Sequence, residues 1–341
     1  MYGVKKYKKK KSKKFFMFVL LFFVTIFVGI SFLQSNMKSE DLENDKNSNL
    51  LEQTVDNIVS ISSKNGNNNI WGSGVIVSKK GYILTNEHVV GDGLNCFIML
   101  STTEKLKADI VWSNSELDLA ILKVNKNFIN CAYIIDSENI KIAEDVYVVG
   151  NPINDGFEKS VSKGIISGLN RNIEFEEQGK VYYLTNLIQT DASVNFGNSG
   201  GALVNTQGQL IGICTIKITS AEGIAFAVPA DVVKPIINIL EKEEKYIEPR
   251  MGIRAYDKYS IDKLNVGKNL NTGVYVAEVN FESSAERSGI RVGDVIIKID
   301  ELEIKDINTL RKYIYEKNIG RNVKLKIFRD NRELEILMNL E

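Results

Sequence analysis

Short alternating segments fill the chain between Ile58 and Thr215 and limit what it can fold into. Each segment is three to six residues long and rich in apolar side chains, and the segments alternate with clusters of Gly, Asn and Ser. The segments are Ile58–Ile61, Gly74–Val77, Tyr82–Leu84, Cys96–Leu100, Ile110–Trp112, Val146–Val149, Gly164–Ser167 and Leu210–Thr215. Many short strand-like segments with almost no helical periodicity indicate a mostly β fold, a sandwich or a barrel. A domain of about 190 residues suits two stacked barrels.

Three short strings carry candidate catalytic residues. His88, the only histidine of the 341-residue chain, lies in Thr85–Val90, Asp118 opens an apolar run, and Ser199 lies in the string Gly-Asn-Ser-Gly-Gly. A serine nucleophile needs a base, and the imidazole needs a carboxylate that fixes its tautomer. The order His, Asp, Ser is that of the chymotrypsin-like double β-barrel. We therefore expect a triad in the crevice between two barrels.

The residues around Ser199 predict an oxyanion hole. Acyl transfer needs preorganised N–H donors, and the string offers Gly197, Asn198 and Ser199, with the amides of Gly197 and Ser199 as the favoured pair. Each string alone has an ordinary interpretation: a hydrogen-bonded histidine, a turn aspartate or a hairpin loop. The combination of order, spacing and neighbouring strands is what makes the catalytic interpretation specific.

Longer stretches around these residues resemble the HtrA (Deg) serine proteases. The similar strings are Thr-Asn-Glu-His-Val-Val, Asp-Leu-Ala-Ile-Leu-Lys-Val, Thr190–Gly201 and Gly223–Pro229, and the resemblance runs from about residue 53 to the C-terminus. It implies His88 as base, Asp118 as the residue that orients it, Ser199 as nucleophile, and no metal or cofactor. Phe196 and Ala202 stand where the family commonly has proline, which removes a rigid backbone angle from the loop.

The resemblance also implies a specificity pocket. In the chymotrypsin fold the sixth residue before the nucleophile lies at the pocket base, and here it is Ser193. Because Ser193 is not an acid, cleavage after Lys or Arg is disfavoured. The family places Ile224, Ala225 and Phe226 along the pocket wall, which suits small or medium aliphatic residues. Such a pocket discriminates weakly, so we expect broad cleavage of unfolded chains.

A second, α+β domain is expected after the helical pattern of Pro229–Lys245. Ala285–Asp300 resembles a PDZ domain of the HtrA type, and Asp306–Lys317 predicts an amphipathic helix with an aspartate cap. The resemblance places a carboxylate-binding loop at Arg250, Met251, Gly252 and Ile253, where backbone N–H groups would bind the C-terminus of a peptide. The alternative is that these four residues are only the start of a strand and bind no peptide.

The stretch Asn170–Lys180 is polar and contains glycine. A solvated hairpin is its ordinary interpretation, whereas in the HtrA family the matching loop senses occupancy of the PDZ domain. The resemblance assigns Arg171 to that role, so we expect Arg171 to help order the oxyanion loop.

The N-terminus predicts a membrane anchor. Residues 1–14 carry eight lysines and no acid, and Phe15–Leu33 is an uncharged stretch of 19 residues. As a helix this stretch would span about 28 Å, close to the hydrocarbon core of a bilayer, and the lysines mark the cytoplasmic side. A cleaved signal peptide is the alternative. The predicted order is a basic cytoplasmic segment (1–14), the anchor (15–33), a flexible stalk (34–53), the protease domain (54–245) and the PDZ domain (249–341).

Together these features predict a bacterial plasma-membrane serine endopeptidase whose catalytic domain lies outside the cytoplasm. Its expected substrates are misfolded or exported proteins, and the resemblance implies a homotrimer. The acidic balance of the chain after residue 14 argues against a nucleic-acid partner. The three cysteines are too few and too widely spaced for a disulfide framework. Two alternatives stay open: a peptide-binding chaperone or scaffold with a silent protease domain, and a dedicated regulatory protease for one membrane substrate.

Overall fold

The computed structural model describes residues 51–341 except 67, 92, 94, 101–103, 152–158, 178–179, 196, 218–221 and 262–269. The predicted basic segment, the anchor and residues 34–50 of the predicted stalk lie outside the described residues. Residues 51–56 are helical, and Leu51 packs against the core, so the last three residues of the predicted stalk are part of the folded unit instead. Among the described helices, none is long and apolar enough to cross a membrane.

The first half of the folded unit is a closed antiparallel barrel. Its strands are β1 (Ile58–Asn65), β2 (Asn68–Ile76), β3 (Tyr82–Thr85), β4 (Phe97–Met99), β5 (Lys105–Asn114) and β6 (Leu119–Val124), in the order β1-β2-β3-β6-β5-β4. The pairing of Ser60 with Met99 closes the barrel, which removes the exposed edges of an open sheet. Between β3 and β4 lies the single-turn helix α1 (Glu87–Val90).

A second closed barrel follows after a 3₁₀ turn at Ser137–Asn139. Its strands are β7 (Asp145–Gly150), β8 (Ser160–Glu177), β9 (Lys180–Thr190), β10 (Ala202–Asn205), β11 (Leu210–Lys217) and β12 (Ala225–Pro229), in the order β10-β11-β12-β9-β8-β7. A 3₁₀ turn at Ala230–Val233 leads into helix α2 (Lys234–Glu243), which ends where Glu244 adopts a φ of +58°. The expectation of two stacked barrels followed by a closing helix is thus confirmed.

Strand alternation gives each barrel an inner and an outer apolar face. In β6 the side chains of Ala120 and Leu122 belong to the interior of the first barrel, whereas Leu119 and Ile121 belong to a cluster that also contains residues of the second barrel and of α2. Because successive residues of a strand point to opposite faces, one apolar run serves both cores. The shared outer cluster fixes the two barrels against each other.

The C-terminal part is an α+β domain around one antiparallel sheet. Its elements are β13 (Ile253–Asp257), β14 (Val274–Val279), α3 (Ser284–Arg287), β15 (Val295–Ile299), β16 (Leu302–Glu303), α4 (Ile307–Tyr315), β17 (Asn322–Arg329) and β18 (Arg332–Asn339). The sheet order is β13-β14-β15-β17-β18, with β16 beside β15. Asp306 caps α4 as expected, because its carboxylate accepts hydrogen bonds from the amide and the hydroxyl of Thr309, both at 2.8 Å.

Helix α4 packs against the barrels. Trp112 of the first barrel meets Tyr315 edge-to-face, with ring centroids 6.1 Å apart. Lys312 forms an ion pair at 2.9 Å with the buried Asp231, and Arg311 lies 3.4 Å from Glu116. These contacts hold one face of the C-terminal domain against β5, the turn that follows it and the 3₁₀ turn at Ala230–Val233.

All three cysteines are free thiols. Cys96 and Cys214 are buried, and burial raises the pKa of each thiol to about 12.

Candidate active site and peptide groove

His88 and Asp118 form a close pair at the barrel crevice. The Nδ1 atom of His88 lies 2.9 Å from Oδ1 and 3.0 Å from Oδ2 of Asp118, and the backbone N–H of His88 donates to Oδ1 at 3.1 Å. The His88 side chain is 43% exposed and the Asp118 side chain 11%. Because an ionised carboxylate only accepts hydrogen bonds, this contact places the imidazole proton on Nδ1. Nε2 then carries the lone pair that a general base needs.

The turn between β5 and β6 holds Asp118 in this position. Asp118 has a φ of +52°, a left-handed conformation that few non-glycine residues adopt. The side-chain amide of Asn86 donates to the Asp118 carbonyl at 2.9 Å. The strained residue is therefore tied to the segment that begins α1, so one local structure sets both the aspartate and the histidine.

Thr215, at the end of the apolar run of β11, joins Asp118 to Ser199. The Thr215 hydroxyl donates to Oδ2 of Asp118, and the Thr215 carbonyl accepts from the Ser199 hydroxyl at 3.1 Å. No sequence motif marks this residue. Its one signal is a hydroxyl within the otherwise apolar run of β11, which by itself points to no partner.

Ser73, a second residue that sequence analysis missed, fixes the loop that carries Ser199. Its hydroxyl donates to the Gly197 carbonyl at 2.7 Å, and its amide donates to the Ser199 carbonyl at 2.8 Å. The amide of Asn151 donates to the Ser73 hydroxyl at 2.8 Å. A Cβ on Gly200, which has a φ of +83°, would collide with the Ser73 carbonyl, so the close approach of β2 requires glycine there.

The predicted oxyanion donors are not equivalent. The amide of Asn198 donates to the Asn195 carbonyl at 3.0 Å, so it is directed into the loop and the inclusion of Asn198 among the donors was wrong. Gly197 has a φ of +93°, which favours glycine. The donor role of the Gly197 and Ser199 amides stays a prediction. Phe196 lies outside the described residues.

Ala202, the other departure from the family pattern, is held by the sheet. It is fully buried at the start of β10 and pairs with Val149 of β7 and Ile213 of β11. Strand pairing on both sides fixes its backbone without a proline ring.

The predicted pocket residues fall into two groups. Ser193 is exposed, and its carbonyl accepts from the Ser162 hydroxyl at 2.8 Å. Ala225 belongs to the interior of the second barrel, whereas Phe226 belongs to the cluster outside it. Because consecutive strand residues point to opposite faces, the side chains of Ala225 and Phe226 lie on opposite faces of β12, and the pocket wall expected from the resemblance stays a prediction. Ile224 is partly buried against the outer cluster.

Arg171 lies on β8, which pairs with β9 as a long hairpin. Its Nε donates to Oε1 of Gln189 at 3.1 Å. The neighbouring Asn172 donates from its side chain to the Tyr259 carbonyl, and Asn186 donates to the buried Asp257 at 2.8 Å. The hairpin thus contacts the C-terminal domain through two asparagines. One of them, Asn172, is adjacent to Arg171, the residue that the resemblance assigns to sensing occupancy of the PDZ domain.

The predicted carboxylate-binding loop directs two peptide groups toward a cavity. The carbonyls of Met251 and Gly252 accept at 2.9 Å from the amides of Ala285 and Asn280. In a trans peptide the C=O and the following N–H point in opposite directions, so the N–H groups of Gly252 and Ile253 face away from the domain core. Gly252 has a φ of +78°, and a Cβ there would collide with Ser283.

These N–H groups lie at one end of a cavity of about 470 Å³ between β13 and α4. Its lining includes the loop residues Arg250, Met251, Gly252 and Ile253 and the α4 residues Ile307, Leu310, Arg311 and Ile314. Among the described strands β13 pairs only with β14, so its other edge faces the cavity. An open strand edge beside an apolar helix face is the arrangement that binds a peptide by strand addition.

Two family models match the chain. One, the trypsin-like peptidase domain, matches residues 72–213, and the other, the PDZ domain, matches residues 249–340. A "Serine protease Do-like HtrA" of Lactobacillus helveticus is 35% identical over 299 residues, which cover 83% of this chain and 71% of that protein. The protein of the same name in Lactococcus lactis subsp. cremoris is 35% identical over 277 residues, covering 76% and 68%.

Solved structures of the same kind are similar over both parts of the chain. The HtrA-type protease AlgW with a tripeptide is 28% identical, with a TM-score of 0.64, and the match covers 86% of this chain and 96% of that one. A serine endoprotease from Yersinia pestis is also 28% identical, with a TM-score of 0.59 and coverage of 86% and 97%.

Proposed function

Because this chain belongs to the HtrA family of serine proteases and is a serine endopeptidase with one PDZ domain, we propose that His88, Asp118 and Ser199 are its catalytic triad. The observation that carries this proposal is the contact of His88 Nδ1 with both carboxylate oxygens of Asp118, at 2.9 and 3.0 Å. That contact presents Nε2 as the base, and no other histidine exists in the chain.

In the proposed reaction the Ser199 Oγ attacks the carbonyl carbon of the scissile peptide bond. His88 Nε2 takes the hydroxyl proton and then gives it to the leaving amine, and a water molecule hydrolyses the acyl-enzyme by the same steps in reverse. The Asp118 carboxylate keeps its negative charge and stabilises the imidazolium. In the structure the Ser199 hydroxyl donates to Thr215, so the hydroxyl must rotate toward His88 before attack.

The oxyanion that forms on the substrate would accept from the amides of Gly197 and Ser199. The Ser73 contacts support this assignment, because they fix the carbonyls of the same two residues. Donors fixed before the reaction need no reorganisation when the charge develops, which is the main source of their effect.

The PDZ domain is proposed to bind C-terminal peptides and to regulate cleavage. Support comes from the two N–H groups of Gly252 and Ile253 at the cavity end, which suit a terminal carboxylate. We propose that the β8–β9 hairpin relays occupancy to the oxyanion loop, with Arg171 as a contributing residue. The contacts of Asn172 and Asn186 with the C-terminal domain support that route.

The cellular setting is a proposal from the sequence. The lysine-rich residues 1–14 and the uncharged Phe15–Leu33 support a single-pass anchor of the bacterial plasma membrane, with the catalytic domain on the extracytoplasmic side. Substrates would be misfolded or exported proteins, and the assembly would be a homotrimer. The absence of an acid at Ser193 supports aliphatic rather than basic cleavage sites.

Labelling with a fluorophosphonate probe tests the triad. The full-length chain should be labelled at one serine, Ser199→Ala should not be labelled, and His88→Ala should be labelled at a strongly reduced rate. Ser62→Ala, at a partly buried serine of β1, is the matched control and should label normally. Labelling that persists in Ser199→Ala would contradict the proposed nucleophile.

A further inference from the structure

We propose that the PDZ groove selects C-terminal peptides that carry an acidic side chain a short distance before an apolar last residue, and that Arg311 recognises the acid. Glu116 of the first barrel occupies the place of that acid when no peptide is bound. This inference rests on the proposed peptide-binding function of the groove and names its ligand class.

The groove is shared by both parts of the molecule. Besides the PDZ residues, its lining includes Ser113 and Asn114 from the end of β5, Ser115 and Glu116 from the turn after it, and Tyr183 and Thr185 from β9. A peptide added to β13 would therefore lie within reach of protease-domain side chains. Specificity at this site depends on the first barrel as well as on the PDZ domain.

Arg311 presents an unsatisfied donor at this shared wall. Its Nη1 is buried and has no hydrogen-bond partner within the described part of the chain. Its Nη2 has one long contact, 3.4 Å from Oε2 of Glu116. A guanidinium has five N–H donors, and a buried donor without a partner is costly. An added carboxylate that accepted two parallel hydrogen bonds would remove this cost.

The charges around the cavity favour an acidic ligand. Its lining contains Arg250, Arg254 and Arg311 against Glu116 and Glu248. The pairs Arg250–Glu248 and Arg254–Glu278 are each long, at 3.4 Å, and Arg250 and Arg254 are exposed. Loose pairs at a surface contribute little, so their guanidinium groups can turn to a ligand at small cost.

The position of Arg311 on α4 sets where the acid falls along the peptide. Met251, Leu310 and Ile314 belong to the PDZ core and line the cavity, so an apolar last residue would pack there with its carboxylate on the Gly252 and Ile253 amides. Arg311 lies three residues before Ile314 and therefore on the same side of the helix. A peptide that pairs with β13 as an added strand would therefore place a residue shortly before its own C-terminus beside Arg311.

Glu116 is the internal competitor for this arginine. Its side chain is 67% exposed on a turn, whereas the Arg311 side chain is 18% exposed. An exposed glutamate held by one long contact is easily displaced. Removal of its charge should therefore strengthen binding of an acidic peptide, whereas removal of the Arg311 charge should weaken it.

The test is fluorescence anisotropy with labelled decapeptides and the full-length Ser199→Ala chain. The peptides end in valine and carry either Glu or Gln at the first, second or third position before it. We expect one Glu peptide to bind about tenfold more tightly than its Gln partner. Arg311→Gln should abolish this preference while the Gln peptide binds as before, and Glu116→Gln should tighten binding of the Glu peptide.

Two kinds of outcome distinguish failure of acid recognition from failure of the proposed peptide binding on which it rests. If the peptides bind but Glu and Gln are equivalent, or the preference survives Arg311→Gln, acid recognition is overturned and peptide binding stands. If no free-acid peptide binds, or amidated peptides bind equally well, both are overturned. Glu116→Gln lies on an exposed turn, so it tests the same contact even where Arg311→Gln fails to fold.

Discussion

Thr215 and Asp118 are joined by a hydrogen bond between the last described side chain of β11 and the turn that follows β5. The Thr215 hydroxyl donates to Oδ2 of Asp118, while the Thr215 carbonyl accepts from Ser199 at 3.1 Å. One residue of the second barrel thus contacts both the aspartate and the serine of the proposed triad. It ties the two barrels together at the reaction centre.

Replacement of Thr215 by valine should lower kcat by about tenfold to a hundredfold, because a hydrogen bond to a charged group contributes about 1.5–3 kcal/mol. Valine keeps the shape of threonine and the backbone carbonyl that Ser199 contacts. Thr215→Ser restores the hydroxyl and should recover most of the activity. Steady-state cleavage of an aliphatic peptide substrate measures the effect, and unchanged kcat in Thr215→Val would show that the contact is dispensable.

Loss of the Ser73 hydroxyl should destabilise the protein by about 1–3 kcal/mol and lower activity as well. Ser73→Ala removes the donor to the Gly197 carbonyl and the acceptor for the Asn151 amide, at a fully buried position. Urea unfolding and peptide cleavage should be measured side by side with Ser62→Ala. A variant that loses neither stability nor activity would show that the nucleophile loop holds its shape without Ser73.

Protonation of Asp300 should lower the free energy of unfolding at acidic pH. Burial alone would raise the pKa of Asp300, but hydrogen bonds from the Tyr313 hydroxyl at 2.5 Å and the Lys324 amide at 2.8 Å lower it below its ordinary value. A depressed pKa gives stability that is present above the unfolded pKa, about 3.9, and is lost as the pH falls through the folded value.

The free energy of unfolding of Asp300→Asn should therefore fall less than that of the wild-type protein between pH 5 and pH 3, roughly the range set by the unfolded pKa. The measurement is the urea midpoint at each pH. Glu301→Gln is the control, because it removes one negative charge from a neighbouring side chain that is 95% exposed. Its urea midpoint should depend on pH in the same way as that of the wild-type protein. An identical acid dependence in Asp300→Asn would contradict the Tyr313 contact.

Cys96 and Cys214 should resist alkylation in the native protein. With a pKa raised by burial to about 12, only about one thiol in ten thousand is a thiolate at pH 8. Iodoacetamide followed by mass spectrometry should modify at most Cys131 before unfolding and all three cysteines after it. The amide of Gly200 donates to the Cys214 carbonyl at 2.8 Å, so rapid modification of Cys214 would argue against the packing behind the nucleophile loop.

The parts of the molecule that local sequence patterns encode could be predicted from the sequence. The strand runs predicted both barrels, and His88, Asp118 and Ser199 stood out because each lies in a distinctive string. The cap at Asp306 followed from local side-chain chemistry in the same way. These features need only neighbours in sequence to be seen.

The contacts that assemble the site depend on distant partners instead. The Ser73 hydroxyl donates to Gly197, which is 124 residues away in the sequence, and the Thr215 hydroxyl donates to Asp118, which is 97 residues away. A single serine or threonine in a strand predicts no such partner.

The most direct test of the account is cleavage of unfolded casein by the full-length chain beside its Ser199→Ala variant, with and without a free C-terminal peptide. The account predicts product peptides from the wild-type chain in at least the peptide-supplemented reaction and none from Ser199→Ala in either. Equal cleavage by both proteins, or none by the wild-type chain even with peptide present, would contradict it.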